Sequence, residues 1–132
     1  MPLNKKEIQK LLEKEDVVYL ATSSRDGKPH LKPIWFVMHD GSIWFETHLP
    51  TAAFKNIKVN NKIVLCFGGK ETYIVWGSVE WFEEKDAPIP FRKMFWEKYS
   101  KDMDDSYITD KTRIFKVKVE KEASWHYAPT WE

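Results

Sequence analysis

A chain of 132 residues with one cysteine, Cys66, cannot form an internal disulfide, so burial and hydrogen bonding must hold its fold. Its first residues lack the apolar run of a signal peptide or membrane span, and a soluble cytoplasmic protein is the expectation. Charge of one sign is also missing. Lys+Arg of 21 against Asp+Glu of 20 leaves a formal net charge of +1, which supplies no field for gathering polyanions and argues against nucleic acid as a partner. The four histidines have no regular ligand spacing, so no metal site is expected. Glutamine occurs only at Gln9 while Lys outnumbers Arg, a balance reported for heat-adapted proteins. Repeats, linkers and low-complexity stretches are absent, and residues 1–132 read as one domain.

What the chain has in quantity is aromatic rings. They make up 15% of it, with seven Trp, more large rings than a chain this short can hide completely, so some are expected at a pocket or subunit interface. Asn4 and Glu7 have the spacing of a capping box, and Ile8, Leu11 and Leu12 follow at helical period. Strands are expected over residues 17–22, 30–38 and up to about Glu46-Thr47, joined by Asp26-Gly27 and Asp40-Gly41 turns. A short helix opened by Thr51 should carry Ala53, Phe54 and Ile57 inward, followed by a strand over 63–67.

After Gly68-Gly69 a long strand over about 73–82 carries Tyr73, Val75, Val79 and Trp81 on one face, with Gly77 marking a bend or bulge. Phe91, Phe95 and Tyr99 then share a helical stripe, and the acidic patch from Asp102 to Asp105 reads as a solvated loop. Last, Phe115, Val117 and Val119 alternate with Lys116, Lys118 and Glu120 in a strand over about 113–122. Six short strands with small helices between them favour a small antiparallel barrel, mainly β with peripheral helices. Pro33 stands out inside the second strand. It cannot donate to a sheet ladder, so that strand must expose part of its backbone edge, which a ligand could use.

The ordered set Leu20-Ala21-Thr22, Asp26-Gly27, Pro29-His30, Pro33-Ile34-Trp35-Phe36, the strand ending in Thr47, the helix after Thr51, the Gly77 strand and Ser124-Trp125 resembles the FMN-binding split barrels related to pyridoxamine 5′-phosphate oxidase. The resemblance implies a six-stranded antiparallel split β-barrel and a homodimer with two flavin sites at its interface. It implies that residues Lys32, Pro33, Ile34 and Trp35 lie along the flavin, and that Glu46 and Thr47 touch the ring or ribityl chain. Thr51 and Lys55 would approach the phosphate, Thr72 would lie near the flavin, and Trp125 would come from the C-terminal segment.

Two departures qualify the likeness. The family's oxidases have a basic pair after the hydroxyl residue where this chain has Ala52-Ala53, so phosphate contacts would fall to Lys55, Lys32 or Lys58. Their Arg-x-His-type tail is replaced by residues 126–132, His126 to Glu132, which argues against vitamin B6 as substrate. The implied function is an FMN-dependent oxidoreductase acting on another small molecule, with no side chain as nucleophile. Alternatives on the same fold are the deazaflavin F420 or haem as cofactor, or a non-enzymatic flavin-binding or stress-related protein. His30 divides evenly between a ligand role and a plain strand-start hydrogen bond. His39 and His48 read as solvent-exposed, Cys66 as a small buried hydrophobe, and Trp35, Trp44, Trp76 and Trp81 as core or interface.

Overall fold

A computed structural model, which describes residues 2–103 and 107–126, folds them into six strands and three α-helices. Helix α1 (Lys5–Lys14) opens on the expected capping box: Asn4 Oδ1 accepts from the Glu7 N–H at 2.9 Å, and Glu7 Oε1 accepts from the Asn4 N–H at 3.0 Å. Then come β1 (Val17–Ser23), β2 (Pro29–His39), β3 (Ser42–His48), α2 (Ala52–Val59), β4 (Lys62–Gly68), β5 (Glu71–Glu83), α3 (Phe91–Tyr99) and β6 (Thr112–His126). Antiparallel neighbours in the order β1-β2-β3-β6-β5-β4 close on themselves as a barrel. No described helix is long and apolar enough to cross a membrane. Asp104, Asp105 and the tail from Tyr127 onward, which carry two of the sequence expectations, lie outside the described residues.

The two Asp-Gly pairs do different things. Asp40 and Gly41 form the expected tight turn, with φ of 50° and 77°. At Asp26-Gly27 only the glycine has positive φ, 84°, because Ser24 closes a longer loop. Its N–H donates to the Lys28 carbonyl at 2.9 Å and its hydroxyl accepts from the Lys28 N–H at 2.9 Å. The expected irregularity at Gly77 is present, with the extra residue on the facing strand. Trp76 pairs with Lys121 and Gly77 with Val119, which leaves Glu120 bulged. A Cβ at Gly77 would run into the Lys118 backbone carbonyl, so glycine is a steric requirement there. Val119, expected inward, is 42% exposed beside this bulge.

Two hydrophobic cores result. Inside the barrel, Val18, Leu20, Phe36, Phe45, Leu65, Val75 and Phe115 are almost wholly buried. Leu11 of α1 closes one mouth, while Ala53, Phe54 and Ile57 of α2 close the other, where the Asn56 amide donates to Thr22 Oγ1 at 3.0 Å. Each such apolar side chain contributes roughly 1.5–3 kcal/mol of transfer free energy. Outside the barrel, α3 lays the predicted Phe91, Phe95 and Tyr99 stripe on Val37, Trp44 and Ile114 of β2, β3 and β6. Trp44 and Trp35 join that packing, as expected for core rings, whereas Trp81 stays 43% exposed at a strand end against Phe54. Cys66 is half-buried and faces outward instead of being buried as expected.

Between β2 and β3 the ladder is short. Register runs only from Phe36↔Phe45 to His39↔Ser42, after which β3 continues against β6 through Glu46↔Ile114 and Thr47↔Arg113. Residues 29–35 of β2 pair with β1 alone. The Phe36 amide and carbonyl turn toward β1, where the Tyr99 hydroxyl bridges them to the Asp16 carbonyl. By strand alternation the Pro33 nitrogen, three residues earlier, turns the other way, toward the side without a partner strand. An imino acid therefore sits where no ladder bond is lost.

Candidate functional site

The separation of β2 from β3 opens a cleft of about 420 Å³ lined by Lys32, Pro33, Ile34, Trp35, Glu46, Thr47, His48, Thr51 and Tyr107. That volume lies within the range of small-molecule sites. A larger groove of about 620 Å³ beside α3, around Ile89, Phe91, Trp96 and Met103, is mostly apolar and is the weaker candidate. It gathers no comparable set of perturbed ionisable groups.

The cleft's inner wall is a hydrogen-bonded chain. Lys32 Nζ donates to Thr47 Oγ1 at 3.3 Å, Thr47 and Thr51 hydroxyls share a bond of 2.9 Å, and Thr51 Oγ1 accepts from the Phe54 N–H at 3.2 Å as the cap of α2. Strand alternation produces this grouping: Thr47 faces into the barrel while its neighbours Glu46 and His48 face outward. Burial lowers the Lys32 amine below its ordinary range, against the opposing attraction of Glu46.

On the outer wall, Glu46 is only 6% exposed, and burial pushes its carboxyl up to about 7 despite the Tyr107 hydroxyl and the Lys32 charge, which favour the carboxylate. His48 Nε2 lies 3.3 Å from Glu46 Oε2 and equally 3.3 Å from Thr112 Oγ1. Proximity to Glu46 is not alignment, however, and Oε2 has no hydrogen-bond partner among the described residues. Burial and then the Lys32 charge lower His48. The Tyr107 phenol, pushed up to about 12 by burial and by Glu46, stays protonated near neutrality. Its ring stacks on Trp35 at 5.5 Å, and Trp35 stacks in turn on Tyr99 at 4.5 Å.

Seven of the ten residues singled out from the sequence thus meet in one cleft: Lys32, Pro33, Ile34, Trp35, Glu46, Thr47 and Thr51. Lys55 is exposed on α2 and does not line it. Thr72 and Trp125 are cross-strand partners on β5 and β6, and the Thr72 hydroxyl donates to the Gly69 carbonyl at 2.5 Å. Neither lines the cleft within one chain. His30 also stands outside it. His48 and Tyr107 were missed. The period-two spacing of Glu46 and His48 was the available signal for the first; Tyr107 enters from a connection between α3 and β6 and had none.

The residue pattern of pyridoxamine 5′-phosphate oxidase matches residues 4–126. The chain belongs to the pyridoxamine 5′-phosphate oxidase family. No curated protein matches it. Among solved structures, family relatives share the barrel at low identity. An F420 reductase is 21% identical with a TM-score of 0.72, covering 86% of this chain and 94% of its own. A FAD-binding protein from Mesorhizobium loti is 18% identical with a TM-score of 0.69, covering 94% and 95%. HutZ, the haem storage protein from Vibrio cholerae, is 14% identical with a TM-score of 0.73, covering 96% and 98%. These likenesses establish the split-barrel fold of this family member.

The cleft suits a flavin by the chemistry of its lining. It offers flat apolar cover from Trp35, Ile34 and Pro33, an ammonium at Lys32, an unpartnered carboxylate oxygen at Glu46, and the start of α2 with the Thr51 hydroxyl. Where the resemblance implies a basic pair, this chain has Ala52-Ala53, and burial explains one of the two. Ala53 is wholly buried under the barrel mouth, where a charged side chain could not be accommodated, while Ala52 is exposed.

Proposed function

We propose that the protein is an FMN-binding oxidoreductase that works as a homodimer on a small-molecule redox substrate. The observation that carries this reading is the cleft at the β2–β3 split, where an apolar wall, a cation and an unpartnered carboxylate oxygen converge beside a helix start. A bound flavin would supply the hydride chemistry. The chain's own part is to hold and orient. Thr51 at the start of α2 binds the polar tail, Lys32 beside Glu46 faces the polar edge of the ring, Trp35 and Ile34 cover the ring, and Tyr107 and Trp35 keep water from one side.

Support for the dimer comes from an outward row of residues that crosses five strands: Pro33, Tyr19, Cys66, Ile74 and Ala123 are successive cross-strand partners. Tyr19 is 48% exposed, and in the adjacent row Leu31 is 67% exposed. Pro33 belongs to both this row and the cleft wall, so a second copy seated on the row would reach the cleft. Trp125, 39% exposed at the end of β6, is the residue we assign to the partner's flavin together with Thr72.

Purified protein titrated with FMN tests the proposal. Quenching of flavin fluorescence and a perturbed visible spectrum at saturation are expected, followed by bleaching with a reduced nicotinamide. Failure to bind FMN overturns it, and bound FMN that neither nicotinamide reduces supports a flavin-binding protein of storage or sensing over catalysis. F420 is the second reading: its long acidic tail calls for basic residues, and Lys55 and Lys58 stand exposed on α2 to supply them; tighter binding of F420 than FMN would select it.

A further inference from the structure

Glu46 Oε2 is a buried acceptor without a donor. Its side chain is 6% exposed, yet the imidazole nitrogen His48 Nε2 lies 3.3 Å away out of line, and the Tyr107 hydroxyl leaves Oε2 unpartnered. An unsatisfied buried acceptor costs about 1–3 kcal/mol, more when charged. An apolar side chain at position 46 would avoid that cost, so retaining a carboxylate makes sense if something entering the cleft supplies the donor. Beside Glu46, the Lys32 ammonium carries three N–H groups, of which Thr47 takes one. Two remain without a partner among the described residues. The wall therefore presents an acceptor next to spare donors.

The complement of that pattern is a planar ring edge with an N–H next to a carbonyl. Resting on the flavin reading above, the geometry points to Glu46 as the residue that recognises the imide N–H of the bound ring, with Lys32 meeting an adjacent carbonyl. Flavins and deazaflavins share this edge. Haem presents carboxylates at its periphery instead, which the Glu46 carboxylate repels. Recognition by Glu46 accordingly places the cleft among imide-bearing cofactors, whichever tail they carry.

The test compares FMN with its N3-methyl analogue, in which a methyl group replaces the imide hydrogen, by fluorescence titration of the wild-type protein and of Glu46→Leu. In the wild type, methylation should weaken binding by roughly 10- to 100-fold, the value of a hydrogen bond to a charged group. Glu46→Leu should bind both compounds alike, at about the affinity that the wild type has for the methylated one. Steric exclusion alone would leave FMN binding to Glu46→Leu unweakened, which overturns the assignment. Equal affinity of the wild type for both compounds also overturns it while leaving the flavin reading intact. Binding of neither compound removes the flavin reading and this inference together.

Discussion

His48 Nε2 and Glu46 Oε2 stand 3.3 Å apart on the outward face of β3, with burial acting on them in opposite directions. It raises the carboxyl to about 7, so near neutral pH the carboxylate and its acid are both populated, and it lowers the imidazole, which is held toward its neutral form. Lys32 and Tyr107 are the other ionisable groups facing this pair.

That raised carboxyl has a consequence for stability. Between the ordinary value of 4.5 and about 7, the folded state holds a proton on Glu46 that the unfolded chain has released. Its contribution therefore falls as pH rises through this window and is flat above it. Glu46→Gln removes the penalty, and urea unfolding should find the variant more stable than wild type at pH 8 by on the order of 1–3 kcal/mol, with the advantage shrinking at pH 5. An advantage independent of pH would contradict the assignment.

Tyr99 ties the outer core to the barrel seam. Its hydroxyl accepts from the Phe36 N–H at 3.0 Å and lies 2.8 Å from the Phe36 carbonyl and 2.7 Å from that of Asp16. Tyr99→Phe keeps the ring but orphans a buried amide, so a loss of about 2–4 kcal/mol is expected in urea unfolding. A change below 0.5 kcal/mol, roughly the scatter of neutral surface substitutions, would refute the role.

Gly77→Ala should destabilise by about 1–3 kcal/mol, because the added Cβ meets the Lys118 carbonyl, a backbone atom that cannot swing aside. Thermal melting of the variant gives the answer. An unchanged melting temperature would mean that the bulge at Glu120 absorbs the methyl group.

Lys32→Met should lower FMN affinity by roughly tenfold or more while leaving stability nearly unchanged, since the desolvated amine gains only one bond, to Thr47. Calorimetric titration alongside thermal melting separates the two effects. Equal loss of both would make Lys32 a structural residue.

Leu31→Glu places a charge on a side chain that is 67% exposed in the single chain, so the isolated fold should tolerate it. Light scattering after size exclusion should then report a dimer for the wild type and a monomer for the variant, with flavin binding weakened in step. A variant that stays dimeric would move the interface away from the Tyr19 row.

Much of the barrel was legible because its signals are local. Asp40-Gly41 demands a positive-φ turn, Phe91, Phe95 and Tyr99 share one helical stripe, and Thr51 is placed to cap a helix; each reading needs only neighbours in sequence. The cleft was legible through Pro33, whose missing donor marks an unpaired edge. What was not legible depends on register and on long-range approach. The bulge falls on Glu120 because the ladder shifts opposite Gly77, and Val119 is exposed for the same reason. Tyr107 reaches Glu46 across a stretch of 61 residues, a distance no periodicity encodes. The assignments of Thr72 and Trp125 came from family likeness, and one chain does not bring them to the cleft.

Thr51 has two attachments, and together they make a lever. One hydroxyl both seals the first turn of α2 and contacts Thr47, which holds the Lys32 amine. Any occupant that draws on that hydroxyl must tug on the plug at the barrel mouth, so slowed amide exchange at Phe54 would register arrival in the cleft from the far side of its wall.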